Sequence, residues 1–415
     1  MSRNFELYQR ALQTIPWATQ TNAKRHDHEM GEAMPHFIEK AQGCRMTDVD
    51  GRTFIDYRSA LGPIVLGYKH PKVDAAVREQ LDKGVLFSMA SPIEVDVGEA
   101  MCSMVPGLEQ VRFLKTGNEV NTAAIRLARA KTGRSKIAIC GYHGFDDWFG
   151  CGTGKAPTSF TRENNGVPHE LDDLVIRLSY ADIDYAKEVF SKYGHELAAV
   201  LTVPYNWDAV VGHEFLQYLR EATTAYGAVL IFDQVLTGFR LAKGGAQEYF
   251  GIIPDLTTYA KAMANGYPLA AFGGKREFMQ PLEHVIITTT YAGETLSLAA
   301  TKATLEIMRE EPVHEHIWRQ GTKLMQAFDQ YASSLGKPWK SFGLAPAAQF
   351  HFSDDDHENV HLRNHFFKKL FEQGIFPARP FLINYAHDDA SIDETIRAFH
   401  HALDHVATLE PSLSV

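Results

Sequence analysis

The sequence predicts an α/β protein, with a mostly parallel central sheet and a smaller α+β domain. Three observations carry this. Between about Val111 and Phe272, short β-rich apolar runs alternate with helical patterns, the order that builds a largely parallel sheet. One run, AVLIFD, is apolar throughout until it ends in an acid, as a buried parallel strand would be. The chain is 415 residues long and 45% hydrophobic, too large for a small module and suited to two or three layers around a sizeable core.

Residues 1–60 read as an N-terminal arm plus part of the smaller domain. A short helix is expected from Asn4 to Thr14. CRMTDVDGRTFIDY then alternates apolar and polar residues around the turn Asp50-Gly51, a two-strand signature. The large domain is expected over residues 61–295. It opens with the helix HPKVDAAVREQLDKG, which ends at Gly84. Its strands are VRFLKT, KIAIC, AAVLTV, AVLIFD and LTTYA, and its helices include Asn118–Thr132, Tyr180–Lys192 and Glu214–Tyr226. Residues 296–415 form the C-terminal α+β part. A helical stretch runs from Ser297 through Glu311 to about Leu335, followed by a strand in AAQFHF and a helix in IDETIRAFHHALDHVATL.

Composition excludes several classes. Lys and Arg number 41 against 51 Asp and Glu, a net charge of −10, with no long basic run, so a nucleic-acid partner is not expected. Cys44, Cys102, Cys140 and Cys151 form no C-x-x-C pair, which argues for reduced thiols in a cytoplasm and against a disulfide frame or zinc site. The N-terminus MSRNFELYQRALQTIPW has no apolar signal core. No apolar run approaches the roughly 20 residues that span a bilayer. No membrane and no metal is expected.

Four segments carry chemistry. In AVLIFDQV the strand ends at Asp233, where an open α/β sheet binds ligands and where an acid can pair with a cation; a helix cap or a surface turn is the alternative. In DLTTYAKAMANGYPLAAFGG, Lys261 sits among small residues. A partly desolvated lysine loses its proton more easily and attacks aldehydes, although an isolated lysine is more often a surface residue. In FLKTGNEVNTAAIRLARAKTG a strand meets Thr116-Gly117-Asn118 and a helix begins. Its open N–H groups suit a phosphate, and Asn118 either donates its amide or caps the helix. In CGYHGFDDW, Tyr142 can stack on a flat ring, and His143 either donates a hydrogen bond or is structural. A metal site there lacks further ligands. Together these are a phosphate anchor, a stacking aromatic, an acid for a ring nitrogen and an amine for an aldehyde, the parts that pyridoxal phosphate requires.

The sequence resembles the class III, fold-type I pyridoxal-phosphate aminotransferases, most closely the glutamate-1-semialdehyde 2,1-aminomutase group. The resemblance runs from about Phe37 to Leu403, through HFIEKAQGCRMTDVDGRTFIDY, VRFLKTGNE, GYHG and DQVLTGFRLAKGGAQEYFGIIPDLTTYAKAMANGYPLAAFGG. It implies Lys261 as the Schiff-base lysine, Asp233 as the ring-nitrogen acid and Tyr142 as the stacking aromatic. It implies Gly117 and Asn118 as the phosphate cradle and Val235 as the apolar residue beneath the ring. It implies that Thr290 reaches the phosphate of a neighbouring subunit, and hence a homodimer with shared active sites.

The departures lie elsewhere. Asn118 stands where a serine or threonine is usual, Gln234 where Glu follows the Asp, and Gly293-Glu294-Thr295 where Gly-Asn-Pro is usual. The implied reaction is transfer of an amino group from an amino donor to a carbonyl acceptor, with a ketone or aldehyde of a sugar or secondary metabolite as the acceptor class. An intramolecular aminomutase is the alternative. Arg379 and Arg25, with Lys24 beside it, are the candidate carboxylate-binding cations, and Trp148, Trp207 and Asn384 line the acceptor pocket or belong to the core.

Overall fold

The computed structural model describes residues 2–150, 153–154, 166–205 and 212–409. In chain order the first elements are α1 (Arg3–Leu12), β1 (Ile38–Gln42), β2 (Arg45–Asp48) and β3 (Thr53–Asp56). They are followed by α2 (Pro71–Lys83), α3 (Pro92–Met104), β4 (Gln110–Leu114), α4 (Gly117–Thr132), β5 (Lys136–Cys140), α5 (Asp147–Gly150), β6 (Thr153–Gly154) and β7 (Val175–Arg177). Next come α6 (Ile183–Tyr193), β8 (Leu197–Thr202), α7 (His213–Tyr226), β9 (Val229–Gln234), α8 (Ala246–Phe250), β10 (Leu256–Tyr259), β11 (Ala270–Gly274), α9 (Arg276–Met279) and α10 (Thr295–Glu310). The chain ends with α11 (Val313–Ser334), β12 (Lys340–Phe342), β13 (Ala347–His351), α12 (Asp356–Glu372), β14 (Ile375–Phe376), β15 (Phe381–Leu382) and α13 (Asp389–Ala407). Among the described residues, no helix is long and apolar enough to cross a membrane.

The chain divides into two compact units, one spanning Pro71–His314 and the other joining Met1–His70 to Glu315–Val415. The boundaries expected at 60/61 and 295/296 therefore fall ten to twenty residues later. The second shift has a clear cause: α10 packs on α2 and α3 and belongs with them. The single long helix expected from Ser297 to about Leu335 is two helices. Pro312 separates them, because proline cannot supply the N–H that a continuous helix would need there.

The larger unit holds an eight-stranded sheet in the order β4-β11-β10-β9-β8-β5-β7-β6. The pairs from β10 through β9, β8, β5 and β7 to β6 are parallel, and β11 runs against both of its neighbours. Every residue of β8 and β9 is buried, as strands covered on both faces must be. The apolar face of α4 (Val120, Ala123, Ala124, Leu127 and Ala128) packs into the same core as Ile137, Leu201, Ile231 and Phe272.

The other unit pairs β1-β2-β3-β14 in one sheet and β12-β13-β15 in another. β2 and β3 are antiparallel around the expected turn, with Gly51 at φ +87, a conformation that glycine adopts without steric cost. Asn4 anchors the arm. Its amide donates to Asp48 Oδ2 (3.1 Å) and Asp50 Oδ2 (2.7 Å), and its Oδ1 accepts from the backbone of His36 and Phe37. Edge-to-face contacts among Phe350, Phe381 and Phe399 build the core beneath α12 and α13, with ring centroids 5.1–5.7 Å apart.

Candidate active site

Asp233 is the penultimate residue of β9, and its strand partner Thr258 lies opposite on β10. Three elements converge on the carboxylate. Asn121 of α4 donates through Nδ2 to Asp233 Oδ2 at 2.9 Å, and His143 Nδ1 lies 2.7 Å from the same oxygen. The backbone N–H of Val235 donates to Oδ1 at 2.9 Å. A carboxylate offers about four acceptor positions, two on each oxygen. Oδ2 is filled, and one position on Oδ1 remains open. Asn121 is itself held: Nδ2 also donates to His143 O (3.0 Å), and Oδ1 accepts from Thr258 Oγ1 (2.7 Å). Asp233, Asn121, His143 and Thr258 are each no more than 4% exposed. These bonds are thus made in a low-dielectric interior, where an unpaired group is costly.

Lys261 opens the short helical turn that follows β10. It has φ +46, a left-handed conformation rare for a residue with a side chain. Its surroundings push its pKa down to about 8: burial lowers it most, the Asp233 carboxylate raises it, and the Arg240 guanidinium lowers it further. Its ammonium has no hydrogen-bond partner among the described residues. Arg240 has no exposed surface, and burial lowers its own pKa to about 10.

The turn Thr116-Gly117-Asn118 opens α4 with a capping box. Thr116 Oγ1 accepts from Glu119 N (3.3 Å), and Glu119 Oε2 accepts from Thr116 N (2.8 Å). The N–H groups of Gly117 and Asn118 donate to nothing among the described residues. They lie at the positive end of a 16-residue helix. A side chain at Gly117 would bring a Cβ within 3.0 Å of both Val235 methyls, so glycine lets these two residues pack in contact. Asn118 differs from expectation. Its amide does not face outward to a ligand: Nδ2 donates to Asp146 Oδ1 (2.9 Å), and Oδ1 accepts from Phe145 N (3.2 Å).

Tyr142 is 63% exposed, with one edge against Phe149, and burial followed by the Asp233 charge raises its pKa. Thr290 is exposed in the segment before α10 and makes no hydrogen bond among the described residues. In that segment Glu294 caps α10 and pairs with Lys115 at 3.0 Å. The structure therefore brings Lys261, Asp233, Val235, Gly117 and the Tyr142 loop together in the larger unit. Arg25 and Arg379 belong to the other unit and are exposed; Arg25 lies 4.4 Å over the Trp17 ring, and Arg379 Nε donates to Gln349 at 3.1 Å. Asn384 is a core residue. It is fully buried, donating to Ser59 Oγ and accepting from Ala386 N, so it does not line a pocket. Trp148 is half-buried against the core, and Trp207 and Cys151 lie outside the described residues.

Asn121 and Thr258 escaped sequence reasoning, although one signal was present: an asparagine at a buried helical position, between Val120 and Ala123. Gln234 was read only as a departure. It is wholly buried and joins Gln247, Thr257 and Tyr259 through Nε2, while its Oε1 accepts from Ala246 N at 2.6 Å. It thereby ties the ends of β9 and β10 to the start of α8.

The family model for aminotransferase class-III matches residues 27–403. Among solved structures, the FumI protein of Sphingopyxis sp. MTA144, in its PLP internal aldimine form, is 28% identical with a TM-score of 0.90, over 99% of this chain and 98% of that one. An omega-transaminase from Sphaerobacter thermophilus is 26% identical with a TM-score of 0.89, over 98% of each chain. A glutamate-1-semialdehyde aminomutase from Pseudomonas aeruginosa PAO1 shares the fold at 21% identity, with a TM-score of 0.84 over 97% of this chain and 94% of that one.

Proposed function

The chain belongs to the class III aminotransferase family, and on that premise we propose that it carries pyridoxal phosphate on Lys261 and moves an amino group from an amino donor to a carbonyl acceptor. One observation carries this reading: an unpaired lysine, its pKa lowered to about 8, stands beside a buried aspartate at the carboxyl ends of two parallel strands. The residues fit the cofactor. Gly117 and Asn118 hold two open N–H groups for its phosphate, Asp233 Oδ1 keeps an acceptor position for a ring N–H, and Lys261 offers an amine for its aldehyde. When bound, pyridoxal phosphate serves as an electron sink for the bond broken at the substrate carbon.

The chain's own residues do the rest. Asp233 is held in place by three donors and keeps the ring nitrogen protonated. Lys261 Nζ, with a loosely held proton, takes the proton from the amino-bearing carbon of the donor and returns it, as general base and then acid. Tyr142 offers its exposed ring for stacking. Arg379 and Arg25 are proposed to bind substrate carboxylates. The acceptor class is a ketone or aldehyde of a sugar or secondary metabolite, a reading supported by the segments GYHGFDDW and GETLS. Replacing Lys261 by Ala removes the absorbance of the Schiff base at Lys261 and abolishes turnover; catalysis that persists without Lys261 overturns the proposal.

A homodimer belongs to the same reading. Met89, Phe145 and Ile286 are each 80% or more exposed. Thr295, at the start of α10, donates to Gly84 O and Val85 O, which ties the segment after Thr290 to the one that leads to Met89. A second copy that covers these side chains would bring its Thr290 to the phosphate. A monomer in sedimentation equilibrium overturns this part.

A further inference from the structure

The segment GYHGFDDW carries more polar structure than a stacking tyrosine needs. Asn118 and Thr122 lie four residues apart on one face of α4. Both bond to Asp146: Asn118 Nδ2 to Oδ1 at 2.9 Å, and Thr122 Oγ1 to Oδ2 in a short contact. Trp148 Nε1 donates to the same Thr122 oxygen at 2.8 Å, and Phe145 N donates to Asn118 Oδ1 at 3.2 Å. The carbonyl of Asp146 in turn accepts from Phe149 N at 2.8 Å, which starts α5. Gly144 makes room for this arrangement. It has φ +120, and a Cβ there would collide with Asn118 Oδ1.

We propose that Asp146 is a positioning residue that locks the Tyr142–Trp148 loop to the first two turns of α4, with Asn118 and Thr122 as its partners. This rests on the reading of Lys261 and Tyr142 above. The first turn of α4 presents the open N–H groups of Gly117 and Asn118, and the loop presents Tyr142. A single carboxylate bonded to both therefore sets the spacing between the phosphate end and the ring-stacking end of the cofactor site. It also accounts for Asn118: its side chain braces the loop, and only its backbone is left for the phosphate. Thr122, Asp146 and Trp148 act with it as one placement set.

The test is a double-mutant cycle on Asp146→Ala and Asn118→Ala, with Asp146→Asn as the conservative variant. The readouts are the dissociation constant of pyridoxal phosphate, measured by absorbance titration of the cofactor-free protein, and the melting temperature of that same cofactor-free protein. Asp146→Ala is expected to weaken cofactor binding about tenfold, the factor that roughly 1.4 kcal/mol produces. Asp146→Asn keeps one acceptor oxygen for Asn118 and should recover most of the loss. The double variant should lose less than the sum of the two single losses, because both substitutions break the Asn118–Asp146 bond, while each also removes one contact of its own. Unchanged cofactor affinity in Asp146→Ala overturns the proposal, as does strict additivity. So does a loss that tracks only a falling melting temperature and that Asp146→Asn does not rescue. Wild-type protein that binds no pyridoxal phosphate would instead defeat the cofactor reading itself, so the two failures are distinct.

Discussion

Replacing Asn121 tests the buried network most directly. Its side chain makes three hydrogen bonds, to Asp233 Oδ2, His143 O and Thr258 Oγ1, at 2.7–3.0 Å, and it is 1% exposed. A bond to a charged group contributes about 1.5–3 kcal/mol and each neutral one about 1 kcal/mol, so Asn121→Ala should cost about 3–5 kcal/mol. For a unit of this size that lowers the melting temperature on the order of 10 °C. Asn121→Asp discriminates further. It keeps the shape and the acceptor for Thr258, but it places a second carboxylate against Asp233. Two unit charges at about 3 Å repel by roughly 5 kcal/mol at an effective dielectric of 20, so the pair must share a proton. A carboxyl pKa raised in the folded state stabilises below that pKa and is lost as pH rises. Stability of Asn121→Asp should therefore fall between about pH 4 and 8, while Asn121→Ala shows no such slope across that window. Urea denaturation of the cofactor-free protein at several pH values measures both. An Asn121→Asp variant as stable as wild type at pH 8, or one parallel to Asn121→Ala, would refute the placement of Nδ2 on Asp233 Oδ2.

Other outcomes follow from the same geometry. Lys261 is held at about 8 in the fold against an ordinary lysine value of 10.5. The unfolded chain thus binds more protons between these values, and stability conferred by this site rises as pH climbs from about 8 towards 10.5. The rate at which the cofactor-free protein combines with pyridoxal phosphate should climb with the same midpoint near 8, and a flat profile would contradict it. Gly117→Ala drives a Cβ to 3.0 Å from both Val235 methyls. It should weaken cofactor binding by moving either the phosphate turn or Val235, an effect visible by absorbance titration, and Val235→Ala in the same chain should relieve it in part.

Much of this protein was legible in the sequence. The strand that carries Asp233, the strand that leads to Lys261, the helix expected from Asn118 and found from Gly117, and the turn at Asp50-Gly51 follow from local periodicity and, at Gly51, from glycine's freedom at positive φ. Those signals act over a few residues. The antiparallel strand β11 did not announce itself, because AAFGG has neither alternation nor length. It is a strand because β10 and β4 supply hydrogen-bonding edges on both sides. The boundary after α10 was hidden for a related reason, since a helix's allegiance is set by what it packs on.

The chemistry divides in the same way. Residue types in chain order were enough to nominate Lys261, Asp233, Tyr142 and Gly117. Which atoms meet was decided only by the tertiary fold. Asn121 lies 112 residues from Asp233 and 137 from Thr258, yet it joins the two. Asn118 turns its amide to Asp146 because Gly144 leaves room and because an acceptor waits there. A buried polar group must find its partner wherever the packed chain places one, and that requirement has no expression in local sequence.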